Sequence, residues 1–373
     1  MLILSNQSEK LFQPLNLANK LELRNRLVMA PMTNFSSNED GTVTKAEVDY
    51  YARRSKGVSM VITACTYVTE NGKGFPGEFA AYSDEFIPSL RELASAIKKE
   101  GAKAILQIFH GGRSCPPNLV PNGELVSASD VAQDNNPAPR PLKEEEILEI
   151  ITAFGETTRR AVEAGFDGVE IHGANGYLLQ QFYSPHTNRR NDKWGGTLEN
   201  RMAFPLAVVD AVKKEAEKAT EPFIVGYRFS PEEPETPGLT MEETFALIDA
   251  LADKNLDYLH ASLQEFWSAP RRGADDSKSR IEWIIERVNG RVPVIGVGSV
   301  YTADDAKKAF ETDIDLLAIG RELIIDPDFV QKIEEGRESE IVSVLDKSKQ
   351  KELVVPDPLW NAIINSPGWF PGV

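Results

Sequence analysis

Eight short, nearly continuous apolar runs constrain this 373-residue chain more than any other feature. They are "RLVMA" (26–30), "SMVITA" (59–64), "KAILQIF" (103–109), "DGVEIH" (167–172), "FIVGYRF" (223–229), "DYLHAS" (257–262), "VPVIGVG" (292–298) and "IDLLAIG" (314–320). Runs of this kind are strands buried on both faces, as in a parallel sheet. Amphipathic stretches separate them, among them "TKAEVDYYARRS", "KEEEILEIITAFGETTRRAVEAG" and "TMEETFALIDALADKN". Their apolar residues recur at i, i+3 and i+4, and Gly often ends the helix. Eight such alternations predict an α/β fold, a (β/α)8 TIM barrel. The rival is a doubly wound open sheet, which carries a Gly-rich turn after its first strand. Here the first strand ends "MAPMTNF", without glycine.

The pattern predicts a single domain over residues 1–373, with the barrel at about 26–335. Residues 10–25 precede the first strand and are expected to cover the bottom of the barrel. The tail, 346–373, is rich in Pro and Trp and lies outside the repeat. Two connections, 111–142 and 173–197, are too long for helix alone. Long structured loops in compact domains are usually functional. Both follow strands, so both belong to the face where barrel enzymes keep their sites.

Charge and cysteine content narrow the function classes. A formal net charge of −16 disfavours nucleic acid, whose binding relies on Lys and Arg neutralising phosphates. Cys65 and Cys115 are too few for a disulfide framework or a four-cysteine metal site, and no metal site is expected. The start, "MLILSNQSEK", lacks the marks of a secretory signal. The longest near-apolar run, "VSMVITACTYV", is too short to span a bilayer as a helix. A cytoplasmic protein that acts on a small molecule, away from membranes, fits best.

Polar residues then appear where the strands end. His172 closes the fourth run and is followed by Asn175 and Tyr177. A helical turn there would set Asn175 beside His172. Both side chains can donate to one carbonyl oxygen, and Tyr177 offers a proton to the neighbouring carbon. Alone, this pattern better suits a capped strand with a packed tyrosine. The other ends weigh against that. Strand one gives Pro31, Met32 and Thr33, strand two Ala64, strand three Gln107 and strand five Arg228. Arg228 has no evident acid beside it on its strand and calls for an anion. Gly298 with Ser299, and Gly320 with Arg321, follow strands seven and eight. That is where barrels place a phosphate on backbone N–H groups.

The stretches "NRLVMAPMT", "QIFHGGR", "GFDGVEIHGANGYLLQQFYSPHTNRRNDKWGGTLENR", "VGYRFSP", "PVIGVGSV" and "DLLAIGRELIIDPDF" closely resemble the Old Yellow Enzyme family of FMN-dependent ene reductases. The resemblance implies tightly bound FMN, NADH or NADPH as reductant, and an activated alkene such as an α,β-unsaturated carbonyl as substrate. It also implies roles. His172 and Asn175 would hold the substrate carbonyl, and Tyr177 would protonate the α-carbon after flavin N5 gives hydride to the β-carbon. Thr33 would bond the flavin C4 carbonyl, and Gln107 the pyrimidine edge. Arg228 would face N1 and the C2 oxygen, while Pro31, Met32 and Ala64 line the ring. Gly298, Ser299, Gly320 and Arg321 would hold the phosphate.

Thr33 stands where one bacterial subgroup has Cys, and Phe35 where that subgroup has a substrate-contacting Tyr. Phe266 or Trp267, from "QEFWSAPRRG", is expected to cover the substrate, with Arg271 or Arg272 near the mouth. The tail "PLWNAIINSPGWFPGV" departs from the subgroup's pattern, so a homo-oligomer is left open. Two other readings stand: a flavin-dependent tRNA dihydrouridine synthase, which expects a basic surface and a catalytic Cys, and a non-catalytic metabolite-binding barrel.

Overall fold

A computed structural model of the chain describes residues 6–133, 135–272 and 275–373. Each of the eight apolar runs is a strand: β1 (Leu27–Met29), β2 (Met60–Tyr67), β3 (Lys103–Phe109), β4 (Gly168–Gly173), β5 (Ile224–Phe229), β6 (Tyr258–Ala261), β7 (Val294–Val297) and β8 (Leu316–Ile319). All eight pair in parallel, and β8 pairs with β1 to close the barrel. Closure removes the open edges that β1 and β8 would otherwise present to another chain.

The helices follow the predicted stretches: α1 (Lys45–Arg54), α2 (Ile87–Lys99), α3 (Glu144–Ala164), α4 (Leu198–Ala216), α5 (Met241–Ala252), α6 (Arg280–Val288) and α7 (Ala303–Ala309). Thr44, Thr240, Ser279 and Thr302 cap four of them, each in a reciprocal bond with an acid three residues on. Such a cap satisfies two backbone N–H groups that no helical bond can reach. Helix α3 stops at Gly165, whose φ of +87° only glycine adopts cheaply. The eighth helical segment is broken into Arg321–Ile325 and Phe329–Glu334.

Side chains alternate along each strand, so two cores form. The inner one fills the barrel with Val28, Met60, Ile62, Ile105, Ile224, Tyr258, Ile295 and Leu316. Leu17 and Leu23, on either side of the turn of a small antiparallel hairpin, pack into it. Asn19 in that hairpin donates its N–H to Asp257 at the start of β6. The outer core lies between strands and helices and takes in Val169, Ile171, Val225, Tyr227 and Phe229.

The long connections after β3 and β4 are stitched together. The Gln181 side chain accepts from Arg113 N–H and Ser127 Oγ and donates to Gly111 O and Gly176 O. Arg190 donates to Ala128 O and Leu142 O. Both loops are thereby held over the C-terminal ends of the strands. Among the described residues, no helix is long and apolar enough to cross a membrane.

Gly226 is the tightest point inside the barrel. A Cβ there would lie 2.1 Å from the Tyr258 ring. Gly226→Ala should therefore cost about 1–3 kcal/mol of stability through overpacking. A lowered urea midpoint with an unchanged slope is the expected result, and an unchanged midpoint would show that the ring yields freely.

Candidate active site

Above the inner core the barrel axis becomes polar. Gln107, Glu170, Gly226 and Tyr258 lie in register across β3 to β6. One step nearer the C-terminal face, His172, Arg228 and His260 share the next register. Gln107, Gly226, Arg228 and His260 lie two or four residues from inner-core positions on their own strands, and Glu170 and His172 share their registers, so all face the axis. Glu170 is fully buried at the centre. Its Oε1 accepts from Gln107 Nε2 at 2.7 Å and its Oε2 from His260 Nδ1 at 2.8 Å. Burial alone would raise the Glu170 pKa, yet His260, Arg228 and Gln107 together hold it below the ordinary carboxylate value. Burial lowers the Arg228 pKa, and Glu170 offsets part of that. The acid missing from the Arg228 strand is thus supplied by its neighbour. The Arg228 Nε is buried without a hydrogen-bond partner among the described residues.

His172 is buried at the end of β4, and its Nδ1 accepts from the Ala174 N–H at 3.3 Å. Burial, Arg228 and His260 push its pKa well below the ordinary imidazole value. It is therefore neutral, with its proton on Nε2, where it can donate. The chain does not make the helical turn that would set Asn175 beside His172. Asn175 and Gly176 have φ of +58° and +76°, and Tyr177 N–H closes the turn on Ala174 O at 3.2 Å. Asn tolerates this left-handed geometry and Gly has no Cβ to oppose it. A short helix, Leu178–Tyr183, begins only afterwards, with Tyr177 at its cap. Asn175 N–H donates to Ser230 Oγ at 2.8 Å, and its Oδ1 accepts from Ser262 Oγ at 2.8 Å. That orientation leaves the Asn175 amide nitrogen to donate.

Tyr177 stands edge-on to Phe109, His172 and Phe75, with ring centroids 4.6, 5.1 and 6.1 Å away. Burial, aided by Cys65 and Glu78, raises the phenol pKa, so it is protonated at any ordinary pH. Phe35 packs against Phe75 at 6.0 Å. The Thr33 Oγ1 lies 4.0 Å from Cys65 Sγ. The β2 strand slips register between Ile62 and Cys65, and Ala64 sits within that irregularity. Bulges of this sort re-aim side chains beside active sites.

A cavity of about 410 Å³ opens at the ends of β1, β5, β7 and β8. It brings together Pro31, Met32, Arg228, Gly298, Ser299, Gly320 and Arg321. Thr33, Ala64, Gln107, His172, Asn175 and Tyr177 do not line it. Gly298 has φ of +141°, and a Cβ there would lie 2.6 Å from the Phe266 nitrogen. Arg321 donates from Nη2 to Ser299 Oγ at 2.7 Å. The Ser299 hydroxyl is itself engaged, its one proton shared between Gln264 O at 2.8 Å and Glu265 Oε1 at 2.7 Å.

Other expectations need correction. Phe266 does not cover the site: it is fully buried in the outer core, where a Cβ on Gly296 would strike its ring. Trp267 meets Phe266 at 5.0 Å with the rings tilted by 59°, and Lys308 Nζ lies 4.7 Å from its ring. The Arg272 guanidinium is spent on Gly238 O and Glu233 O, and Arg271 N–H on Glu232. Gln107 donates to Glu170, leaving its Oε1 as the free end of the amide. Glu170, His260, Glu265 and Trp369, which also lines the cavity, were not singled out by the sequence reading. The signal for the first two was available: a Glu and a His at inward positions of buried strands, "GVEIH" and "DYLHAS".

The sequence profile of the NADH:flavin oxidoreductase / NADH oxidase family matches residues 10–340. The chain belongs to that family. It is 55% identical over 362 residues to the probable NADH-dependent flavin oxidoreductase YqiG of Bacillus subtilis (strain 168), covering 97% of each chain. It is 43% identical to the NADH:fumarate oxidoreductase of Klebsiella pneumoniae (strain 342), covering 95% of this chain and 39% of that longer protein. Morphinone reductase in complex with tetrahydroNAD superposes with a TM-score of 0.76 at 30% identity, over 87% of this chain and 90% of that one. The resemblance to Old Yellow Enzymes holds, and so does the barrel. The protein is a flavin oxidoreductase with FMN as cofactor and a reduced nicotinamide as reductant.

The cavity suits such a group. It pairs a buried guanidinium that has an unpartnered Nε with a Gly-rich, Arg-bearing end. Glu170→Gln keeps the shape of the carboxylate and removes its charge, leaving Arg228 uncompensated. The midpoint potential of the bound flavin should then rise, by roughly 30 mV or more, equivalent to about 1.4 kcal/mol for two electrons. An anaerobic dye titration that finds the potential unchanged or lowered would contradict the arrangement.

Proposed function

We propose that this protein reduces activated alkenes, above all α,β-unsaturated carbonyl compounds, at the expense of NADH or NADPH. One observation carries the reading. Two N–H donors, His172 Nε2 and the Asn175 amide, are left over after their partner atoms are satisfied internally, and a protonated phenol stands beside them. Donors of this kind polarise a carbonyl oxygen, and a positioned acid then completes the addition of hydrogen. The names of two similar proteins agree, one reducing fumarate and the other morphinone. Neither cysteine is suited to catalysis, because burial raises the pKa of both thiols.

Bound here, FMN would accept hydride from the nicotinamide and deliver it to the β-carbon of the alkene. Pro31, Met32 and Ala64 would line its ring, Thr33 would bond the C4 carbonyl, and Gln107 would take the pyrimidine edge. Arg228 would stand by N1 and the C2 oxygen, where a fixed positive charge favours the reduced form. Gly298, Ser299, Gly320 and Arg321 would hold the phosphate, with the backbone of Ser299 better placed than its engaged hydroxyl. His172 and Asn175 fix the substrate oxygen, Phe35 borders the substrate, and Tyr177 gives its proton to the α-carbon.

Tyr177→Phe removes one proton and little volume. Reduction of the flavin by nicotinamide should stay near wild type, since no substrate protonation is involved. Reoxidation by an enone should slow by roughly 10²-fold or more. Reoxidation by a quinone should change much less, because its oxygens take protons from water. Stopped-flow traces of the separate half-reactions test this. Enone reduction at the wild-type rate would remove Tyr177 from the mechanism.

A further inference from the structure

Segment 345–373 lies outside the barrel repeat, and nothing in the chemistry above uses it. Yet it is firmly built in. Leu353, Val355, Leu359, Trp360, Ile363 and Phe370 belong to the outer core. The Arg54 side chain, 1% exposed, donates to Leu353 O and Val354 O as well as to Tyr50 O in its own helix α1. A cation buried in this way is tolerable only because those carbonyls accept from it. The far end of the segment is pinned too. Leu345 N–H donates to Pro371 O, and Gly368 N–H to Val373 O. Phe370 is 1% exposed and meets the Trp369 ring edge-on at 5.1 Å.

This anchoring brings Gly368 and Trp369 to one wall of the cavity, beside Arg321. Arg321 Nη1 donates to Trp369 O at 2.9 Å while its Nη2 reaches Ser299 Oγ. The Tyr301 ring centroid lies 5.2 Å from the guanidinium carbon. Three partners thus fix the direction of the guanidinium, and one of them comes from 48 residues further along the chain. A guanidinium held in place before it meets an anion loses less freedom on binding.

We propose that Trp369 is a cofactor-retaining residue: its backbone carbonyl aims Arg321 at the FMN phosphate, and its side chain walls that end of the cavity. This rests on the reading that the cavity takes FMN with its phosphate at Gly298, Gly320 and Arg321. The segment therefore sets how long the flavin stays bound, not how fast hydride or proton moves.

The test is flavin release from the holoenzyme, followed after dilution by the recovery of free-flavin fluorescence. Trp369→Ala should release FMN roughly tenfold faster or more, a loss of about 1.4 kcal/mol. Trp369→Phe, which keeps an aromatic wall, should restore most of the retention. Trp369 is only half-buried, so neither change should disturb folding. Phe370→Ala loosens the turn from below and should also speed release, whatever the indole itself contributes. Arg321→Ala serves as the reference. If Arg321→Ala speeds release while both Trp369→Ala and Phe370→Ala leave it unchanged, the role given to Trp369 is wrong and the phosphate site stands. If Arg321→Ala leaves release unchanged, the cavity does not hold the phosphate, and the inference falls with that reading.

Discussion

A single buried carboxylate organises the mouth of this barrel. Glu170 sits with no exposure among Gln107, His260 and Arg228, which come from the three strands β3, β6 and β5. An isolated charge at such depth would be prohibitive, and breaking a buried pair typically costs several kcal/mol. The strands therefore have to hold Gln107 and His260 at bonding distance and Arg228 within coulombic reach, and their register is fixed at the level where the site begins. The same carboxylate lets Arg228 remain a cation in a dry place. It also gives His260 Nδ1 an acceptor, and so specifies the tautomer of a fully buried ring.

Chemistry is layered on that foundation by the turn after β4. The strand delivers His172, and the left-handed pair Asn175 and Gly176 reverses the chain so that Tyr177 caps the next helix beside it. On the proposed reading, an internal bond to His172 and to Asn175 occupies the atom that substrate would not need. Ala174 N–H occupies His172 Nδ1, and Ser262 occupies Asn175 Oδ1. Burial keeps the imidazole neutral and the phenol protonated. Donors poised in this way need no rearrangement when charge develops on an oxygen, and that is where electrostatic catalysis gains most.

The alternation of buried and amphipathic runs made the barrel legible, because a strand covered on both faces leaves a plain hydrophobic signature. Polar residues at strand ends were legible for the same reason: they interrupt it. What lay hidden depended on contacts distant in sequence. The partnership of Glu170 with His260 spans 90 residues, and only the register between strands shows that both face the axis. Phe266 was misplaced because an aromatic after a strand reads alike whether it lies over a ligand or under a glycine. The left-handed turn at Asn175 is hidden because residue spacing carries no sign of φ. Trp369 gave no periodic signal, since it reaches the cavity only through the folding of a segment outside the barrel repeat.

The account stands on a flavin at the ends of these strands that accepts electrons from a nicotinamide and passes them to an alkene. A visible spectrum of the purified protein, followed by anaerobic titration, tests this most directly. The protein should be yellow and should release FMN on denaturation. NADH or NADPH should bleach it in the absence of oxygen, and an α,β-unsaturated ketone should restore the colour. A colourless protein that FMN cannot reconstitute, or FAD as the released cofactor, would contradict the account.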